Sequence, residues 1–172
     1  QAVNAGADCA KFQLRDLSTL YGNEGNVLDQ KEDLGSQYTL DLLSRFQLAN
    51  EDLFRVFDYC ETKGIMPLCT PWDIQSIEIL EAYGVKGYKT ASADFTNPML
   101  LSKIAGTGKP IVSSTGMTEE VDINKSINLL QEIGAEYALL HCNSTYPTPF
   151  KDVNLKYMLH LKSIGKCVVG YS

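Results

Sequence analysis

Two lysines interrupt otherwise apolar segments of the chain, and short hydroxyl side chains follow several similar segments. Lys11 lies within Cys9–Leu14, and Lys89 lies within Gly87–Ala91. Because burying an unpaired ammonium group costs several kcal/mol, each lysine needs an anionic partner, either a structural Asp or Glu or a bound phosphate or carboxylate. Hydroxyl donors combined with two cations suit a phosphoryl group. We therefore predict an anion site that is formed by Lys11, Thr70, Lys89, Ser92, Ser114 and Ser172.

A second polar segment begins at His141 and reaches the Tyr146-Pro147 pair. A single histidine in a strand is more often a hydrogen-bonded core side chain than a ligand, and we interpret Cys142 as a core thiol. Neighbouring residues of a strand point to opposite faces, so a Cys–His nucleophile pair is disfavoured here. The Tyr146-Pro147 pair has a simpler interpretation as a turn, and Asp94 has one as the cap of the helix that follows it.

These residues are predicted to lie at the ends of six strands. The strand candidates are near-continuous runs of apolar or small residues, which is typical of strands that are buried on both faces. The predicted strands are Cys9–Leu14, Met66–Thr70, Gly87–Ala91, Pro110–Ser114, Ala138–Cys142 and Cys167–Tyr171.

Helical patterns separate the strands. Asn50, Asp73 and the pair Asn97-Pro98 are predicted to begin three of these helices, because their side chains can cap a first turn. Glycines at positions 64, 84 and 106 are predicted to end them. The remaining predicted helices are Glu119–Ile133 and a weaker one at Val153–Ser163, and Gln1–Ala5 is expected to be the end of an earlier helix.

The alternation of strands and helices predicts a parallel sheet. The absence of a GxGxxG or Walker motif disfavours a nucleotide-binding doubly wound sheet and favours a (β/α)₈ TIM barrel. Six strands in 172 residues are too few for a closed barrel, which takes about 250 residues. We therefore expect an incomplete barrel that lacks strands at both ends. The polar segment Arg15–Ala49 is predicted to be either a long βα loop over the active site or a surface insertion.

Composition excludes several classes of protein. Lys plus Arg number 15 and Asp plus Glu number 21, which gives a net charge of −6. This charge disfavours nucleic acid or an anionic membrane as a partner. No apolar run reaches the roughly 18 residues of a membrane helix, and no signal peptide is visible. Five cysteines without a CxxC pair favour a reducing compartment, so we expect a cytoplasmic protein.

The motifs of the chain, taken in order, resemble those of the N-acetylneuraminate (sialic acid) synthase family. Each motif is weak alone, but together they span nearly the whole chain. They are Gly6-Ala7-Asp8, Lys11-Phe12-Gln13, Thr70-Pro71, Gly84-Val85, Lys89 with Ser92, Gly108-Lys109-Pro110, Ser113-Ser114-Thr115-Gly116-Met117, His141-Cys142 with Ser144, Tyr146-Pro147-Thr148-Pro149, Asp152-Val153-Asn154-Leu155 and Gly170-Tyr171-Ser172.

This resemblance implies a catalytic (β/α)₈ barrel that condenses phosphoenolpyruvate with an N-acylated amino sugar, N-acetylmannosamine in the type case. The products are a nonulosonic acid and phosphate. It implies that Tyr146 is a catalytic residue near both substrates, that Gln13 and Asp94 contact the sugar, and that Ser144 stands where some members have Asn. It also implies that the anion site predicted above, comprising Lys11, Thr70, Lys89, Ser92, Ser114 and Ser172, binds phosphoenolpyruvate.

The resemblance also implies parts that lie outside these 172 residues. A divalent metal, manganese or magnesium, is expected to bind histidines beyond Ser172. An early strand with a catalytic Glu is expected before Gln1, and a C-terminal antifreeze-like domain is expected to complete a homodimer. The 172 residues alone are therefore predicted to be inactive and to contain no metal ligand of the family type.

Three alternatives remain open at this point. A synthase of legionaminic acid, pseudaminic acid or a spore-coat polysaccharide sugar would share these motifs. A Schiff-base aldolase on the same barrel would use Lys89 or Lys11 as its amine, which requires a desolvated lysine of low pKa. A degenerate barrel that serves as a binding module would retain the fold without the chemistry.

Overall fold

Six parallel strands form a single sheet in the computed structural model, which describes residues 1–17 and 42–172. The strands lie in the order in which they occur in the sequence, and each pairs with the next. This order is that of a barrel wall, so the sheet is an incomplete (β/α)₈ barrel. All six predicted strands are confirmed, with each end within one residue of the prediction. They are β1 (Cys9–Leu14), β2 (Met66–Pro71), β3 (Tyr88–Thr90), β4 (Ile111–Ser114), β5 (Tyr137–His141) and β6 (Val168–Tyr171).

Helices connect successive strands, as parallel pairing requires. They are α1 (Asn50–Thr62), α2 (Ile74–Tyr83), α3 (Pro98–Ala105), α4 (Glu120–Ile133) and α5 (Tyr157–Gly165). Residues 42–46 are also helical, whereas residues 18–41 of the predicted long loop lie outside the described residues. No helix among the residues described is long and apolar enough to cross a lipid bilayer.

Two of the predicted caps are confirmed. The Asp73 carboxylate accepts a hydrogen bond from the Ser76 backbone N–H at 2.6 Å, and the Asn97 side chain accepts one from Leu100 N–H at 3.2 Å. The prediction for Asn50 is wrong, because Ala49 is the cap residue of α1 and makes no side-chain cap bond. Acidic side chains in the first turn of α1 suit the positive end of the helix dipole instead.

Two other predicted segments are shorter in the structure. The fifth helix begins at Tyr157 rather than at Val153, because Asn154 has a φ of 46°, which cannot continue a right-handed helix. Phe150–Asp152 form a separate 3₁₀ turn before it. The predicted end of an earlier helix is likewise a 3₁₀ turn, at Val3–Ala5, and Gly6 follows it with a φ of 77°.

The hydrophobic core lies between the helices and one face of the sheet. In β1 this face carries Phe12, whose ring lies 5.3 Å from the ring of Phe57 on α1. Phe57 also packs edge-on against Tyr83 of α2 at 5.3 Å, and Phe54 stacks on Tyr83 at 4.6 Å. Because side chains alternate along a strand, the residues between these core positions face the side that a closed barrel encloses. That inner face carries the predicted site.

Candidate active site

The predicted site begins with Lys89, which β3 directs to the inner face of the sheet. Its side chain is only 6% exposed. The ammonium Nζ donates hydrogen bonds to the Thr90 carbonyl oxygen and to Ser114 Oγ at the end of β4. Since the Ser114 hydroxyl accepts this bond, its own O–H remains available as a donor. The pair therefore presents a cation and a hydroxyl donor at the carboxyl ends of neighbouring strands, where barrel chemistry is found.

The two lysines are electrostatically coupled. Burial lowers the pKa of Lys89 from its usual value to about 8, and the positive charge of Lys11 lowers it further, against an opposing effect of Cys142. Lys11 itself is exposed on β1. The reason is that β1 is the outermost strand of the sheet that the structure describes, so the inner face has no neighbour beyond it.

Neither lysine forms an ion pair with an acidic side chain in the described part of the chain. The ion pairs within residues 1–17 and 42–172 involve other side chains, and none contains Lys11 or Lys89. Of the two partners that the sequence allowed, a structural carboxylate is therefore not found among the residues described. A buried cation without a carboxylate is what a site for a soluble anion requires.

The opposite side of β3 is fixed by a polar contact. The Tyr88 hydroxyl donates to the Glu81 carboxylate of α2, and Glu81 forms an ion pair with Lys109 at 2.6 Å. Tyr88 is fully buried and directly precedes Lys89. This contact joins β3, α2 and the segment before β4, so it holds the short strand that carries Lys89.

A cluster of three residues, Ser92, Gly116 and Cys142, lies beside Lys89 at the ends of β3, β4 and β5. Cys142 Sγ lies 3.2 Å from Ser92 Oγ and accepts a hydrogen bond from the Gly116 backbone N–H at 3.0 Å. The interpretation of Cys142 as a core thiol overlooked its place at the site. The alternation of side chains along a strand could have indicated this place, because Cys142 directly follows β5 and must face opposite to His141.

Gly116 is required by the closeness of this cluster. A Cβ at position 116 would lie 2.8 Å from Cys142 Sγ and 3.0 Å from Ser92 Oγ. We expect Gly116→Ala to lower the free energy of unfolding by about 1–3 kcal/mol, because one of the neighbours must move. Gly106→Ala is the milder comparison, since a Cβ there would meet the Ser102 carbonyl oxygen at 3.2 Å, which needs a shift of only a few tenths of an ångström. Urea unfolding followed by circular dichroism measures both, and equal midpoints for the two variants would contradict the packing argument.

His141 faces the helices and not the site. Its Nε2 lies 2.8 Å from the Val153 carbonyl oxygen, and its ring packs against Tyr157 and Tyr171 at centroid distances of 5.4 and 5.7 Å. His141 is therefore a half-buried, hydrogen-bonded side chain rather than a member of the buried core. A Cys–His nucleophile pair is excluded, because Cys142 lies on the other face.

The two predicted sugar contacts lie at different strand ends. The Gln13 side-chain oxygen accepts hydrogen bonds from Trp72 Nε1 at 3.2 Å and from the Arg15 guanidinium. Its NH₂ group is therefore the part that can bind a ligand.

Asp94 is half-buried, and its Oδ2 is buried without a hydrogen-bond partner among the residues described. Burial raises the pKa of Asp94, and a hydrogen bond with Asn97 opposes this. Because Asn97 caps α3, the simpler interpretation of Asp94 as the cap is wrong.

The structure does not bring every predicted residue together. Thr70 is buried on β2 and pairs in register with Gln13. Ser144 and Ser172 are exposed, and Tyr146 is fully exposed. In the part of the chain that is described, the Tyr146 side chain contacts none of the other predicted residues through a hydrogen bond or ring contact. The assignments of Ser144, Tyr146 and Ser172 stay predictions.

The residues described do not form a metal site. No group of three or more His, Cys, Asp or Glu side chains within 1–17 and 42–172 is placed to hold a metal ion. The expectation that a divalent metal binds histidines beyond Ser172 stays a prediction, and no chemical step is derived through it.

Comparisons with known proteins place the chain in a family. A family model described as the NeuB family matches residues 1–172. The chain is 38% identical over its whole length to an uncharacterized protein of Methanocaldococcus jannaschii, covering 48% of that protein. It is 33% identical over 99% of its length to the N,N'-diacetyllegionaminic acid synthase of Campylobacter jejuni, covering 53% of that enzyme. The chain thus spans about half the length of the curated relatives it matches.

A solved structure agrees as well. The crystal structure of the N-acetylneuraminic acid (sialic acid) synthetase of Leptospira borgpetersenii, determined in complex with citrate, matches with a TM-score of 0.87 and 25% identity. The match covers 99% of this chain and 55% of the synthetase chain. The relatives of the 172-residue chain therefore include synthases of sialic acid and related nonulosonic acids. The chain belongs to the NeuB family.

Proposed function

We propose that the full-length protein condenses phosphoenolpyruvate with N-acetylmannosamine to form N-acetylneuraminate and phosphate. The observation that carries the proposal is the buried Lys89, which has no carboxylate partner among the residues described and which binds Ser114 beside the charge of Lys11. A cation held in this way suits the phosphate or carboxylate of phosphoenolpyruvate. Membership of the NeuB family supports the class of reaction.

The reaction proceeds by carbon–carbon bond formation followed by loss of phosphate. The C3 carbon of phosphoenolpyruvate attacks the aldehyde carbon of the sugar, and water adds at C2. The tetrahedral intermediate then releases phosphate by breaking its C2–O bond. Lys89 and Ser114 hold the anion with Lys11, Thr70, Ser92 and Ser172. Gln13 and Asp94 contact the sugar, Ser144 contacts a substrate, and Tyr146 is the catalytic residue near both substrates.

Other parts of the proposal concern the full-length protein. We expect it to require manganese or magnesium, to form a homodimer and to act in the cytoplasm without a nucleic-acid or membrane partner. We expect residues 1–172 alone to be inactive. The similarity to the N,N'-diacetyllegionaminic acid synthase of Campylobacter jejuni makes a synthase of a related nonulosonic acid the alternative, with a different acceptor sugar.

Phosphate release from phosphoenolpyruvate tests the proposal. The full-length protein is assayed with N-acetylmannosamine, with a diacetamido sugar and with no sugar, in the presence of manganese or of a chelator. We expect metal-dependent release that needs both substrates. Release with the diacetamido sugar alone would move the assignment to a related nonulosonic acid. No release with either sugar would contradict the condensation chemistry.

The pKa of Lys89 gives the proposal a pH dependence. Below about pH 8 the amine is protonated and can bind an anion, whereas above it the cation is lost. We therefore expect kcat/KM for phosphoenolpyruvate to fall as pH rises through about 8, mainly through KM, because kcat/KM reports the unliganded protein.

The contribution of Lys89 to stability changes in the opposite direction. Its pKa is lowered on folding, so the unfolded chain binds more protons above pH 8 and stability rises there. A pH-independent KM between pH 7 and 9 would contradict this account.

One observation favours a second candidate, a Schiff-base aldolase. Lys89 is buried and its pKa is lowered to about 8, which is the environment that an amine nucleophile needs. Borohydride reduction in the presence of pyruvate distinguishes the two, with peptide mass spectrometry locating any adduct. A pyruvyl adduct on Lys89 would favour the aldolase, and its absence during phosphate release would favour the condensation.

A further inference from the structure

We propose that Cys142 is a positioning residue that directs the hydroxyl proton of Ser92 toward phosphoenolpyruvate. This inference rests on the proposed function, because it assigns a role within the anion site. It concerns a residue that does not itself need to contact substrate. The supporting geometry is the cluster of Ser92, Gly116 and Cys142 described above.

The cluster joins strand ends that do not pair with each other. Ser92 follows β3 and Cys142 follows β5, and β4 lies between these strands in the sheet. The Cys142 thiol reaches Ser92 across the end of β4, where Gly116 has no Cβ to obstruct it. Thr115, just before Gly116, is held to β5 by N–H and Oγ1 bonds to the Leu140 carbonyl oxygen at 3.0 and 3.1 Å. The position of Sγ is therefore fixed by two neighbouring strands.

The proposed direction of the bond to Ser92 follows from the contacts of Sγ. The Gly116 N–H donates to Sγ, which occupies one acceptor position of the sulfur. Either atom can donate across the 3.2 Å between Cys142 Sγ and Ser92 Oγ, and the positioning role requires the S–H to be the donor. If Ser92 accepts from the thiol, its own O–H is left to donate elsewhere. An anion site needs this arrangement, since an anion accepts hydrogen bonds and does not donate them.

Ser114 follows the same rule. Its Oγ accepts a bond from Lys89 Nζ, which leaves its O–H as a donor. Ser92 and Ser114 are thus each paired with a donor from another strand. Cys142 therefore donates to Ser92 as Lys89 donates to Ser114, and in each case the serine O–H is left to donate to the anion. Unlike Lys89, Cys142 adds no charge.

A double-mutant cycle on the full-length protein tests the inference. KM for phosphoenolpyruvate is measured at saturating sugar for the wild type, Cys142→Ala, Ser92→Ala and the double variant. Cys142→Ala is expected to raise KM about 3- to 10-fold, the range for loss of one hydrogen bond, with kcat within about 2-fold. In the Ser92→Ala background the same change is expected to have an effect below about 2-fold, because Cys142 acts through Ser92.

Three further variants separate positioning from packing. Cys142→Ser keeps a donor and an acceptor and is expected to restore KM to within about 2-fold of the wild type. Cys142→Val removes the hydrogen bonds but fills the space, so it should raise KM as alanine does even if the alanine variant folds poorly. Cys167→Ala, at a half-buried thiol before β6, is the matched control and should leave KM unchanged.

Each outcome decides the inference. An unchanged KM for Cys142→Ala, or an equal rise with and without Ser92, would overturn the positioning role while leaving the proposed function intact. A wild-type protein that neither binds nor consumes phosphoenolpyruvate would overturn the proposed function, and this inference with it.

Discussion

Lys89→Met in the full-length protein will lower kcat/KM for phosphoenolpyruvate by about 100-fold or more, because a buried charged hydrogen-bond donor to an anion contributes roughly 3 kcal/mol or more. Methionine is similar in length to lysine but carries no charge. It cannot donate to Ser114 or to the ligand. Phosphate release at varied phosphoenolpyruvate measures the loss.

We expect the Lys89→Met variant to lose activity without losing stability. Lys89 is buried without an acidic partner among the residues described, so the charge is unfavourable to the folded state. The unfolding midpoint of Lys89→Met should therefore be equal to or above that of the wild type at neutral pH. Lys86→Ala is the control, because Lys86 is three residues earlier, exposed and paired with Glu61 at 3.4 Å. A loss of activity below 10-fold, or a matching loss in Lys86→Ala, would contradict the role of Lys89.

Phe57→Ala will lower the free energy of unfolding by about 3–5 kcal/mol, the range for removing a fully buried aromatic ring. Phe57 of α1 is fully buried between Phe12 of β1 and Tyr83 of α2. The ring therefore fixes the first helix and the second helix against the strand that carries Lys11. Urea unfolding of the full-length protein, followed by circular dichroism, measures the change.

Tyr59→Ala provides the matched comparison in the same helix. Its side chain is 61% exposed, so we expect a change within about 0.5 kcal/mol. A Phe57→Ala variant that is destabilised by less than 1 kcal/mol would show that the core between helices and sheet is packed differently. The difference between these two variants tests the fold without depending on the proposed reaction.

The sequence predicted the strands well because their signal is local. Apolar runs with polar ends locate each strand to within one residue, and sequential βα units lead to a parallel sheet. The helix caps at Asp73 and Asn97 could also be predicted, since a single side chain accepts a hydrogen bond from a backbone N–H of the first turn. The start of α5 was not, because the left-handed backbone of Asn154 breaks an otherwise helical pattern.

The site was predictable in part. The carboxyl ends of parallel strands meet at one edge, so Lys89 and Ser114 could be placed together from the sequence. The approach of Cys142 to Ser92 could not, because it depends on three strand ends and on the missing side chain of Gly116. The exposure of Lys11 follows from the position of β1 at one end of the sheet that the structure describes.

A crystal structure of the full-length protein with phosphoenolpyruvate would test the assignment of the anion site. We expect the phosphate or the carboxylate of the ligand to lie within hydrogen-bond distance of Lys89 Nζ and of the hydroxyls of Ser92 and Ser114. We also expect Cys142 Sγ to remain beside Ser92 without touching the ligand. Phosphoenolpyruvate bound elsewhere in the barrel, with Lys89 contacting only Thr90 and Ser114, would contradict this assignment.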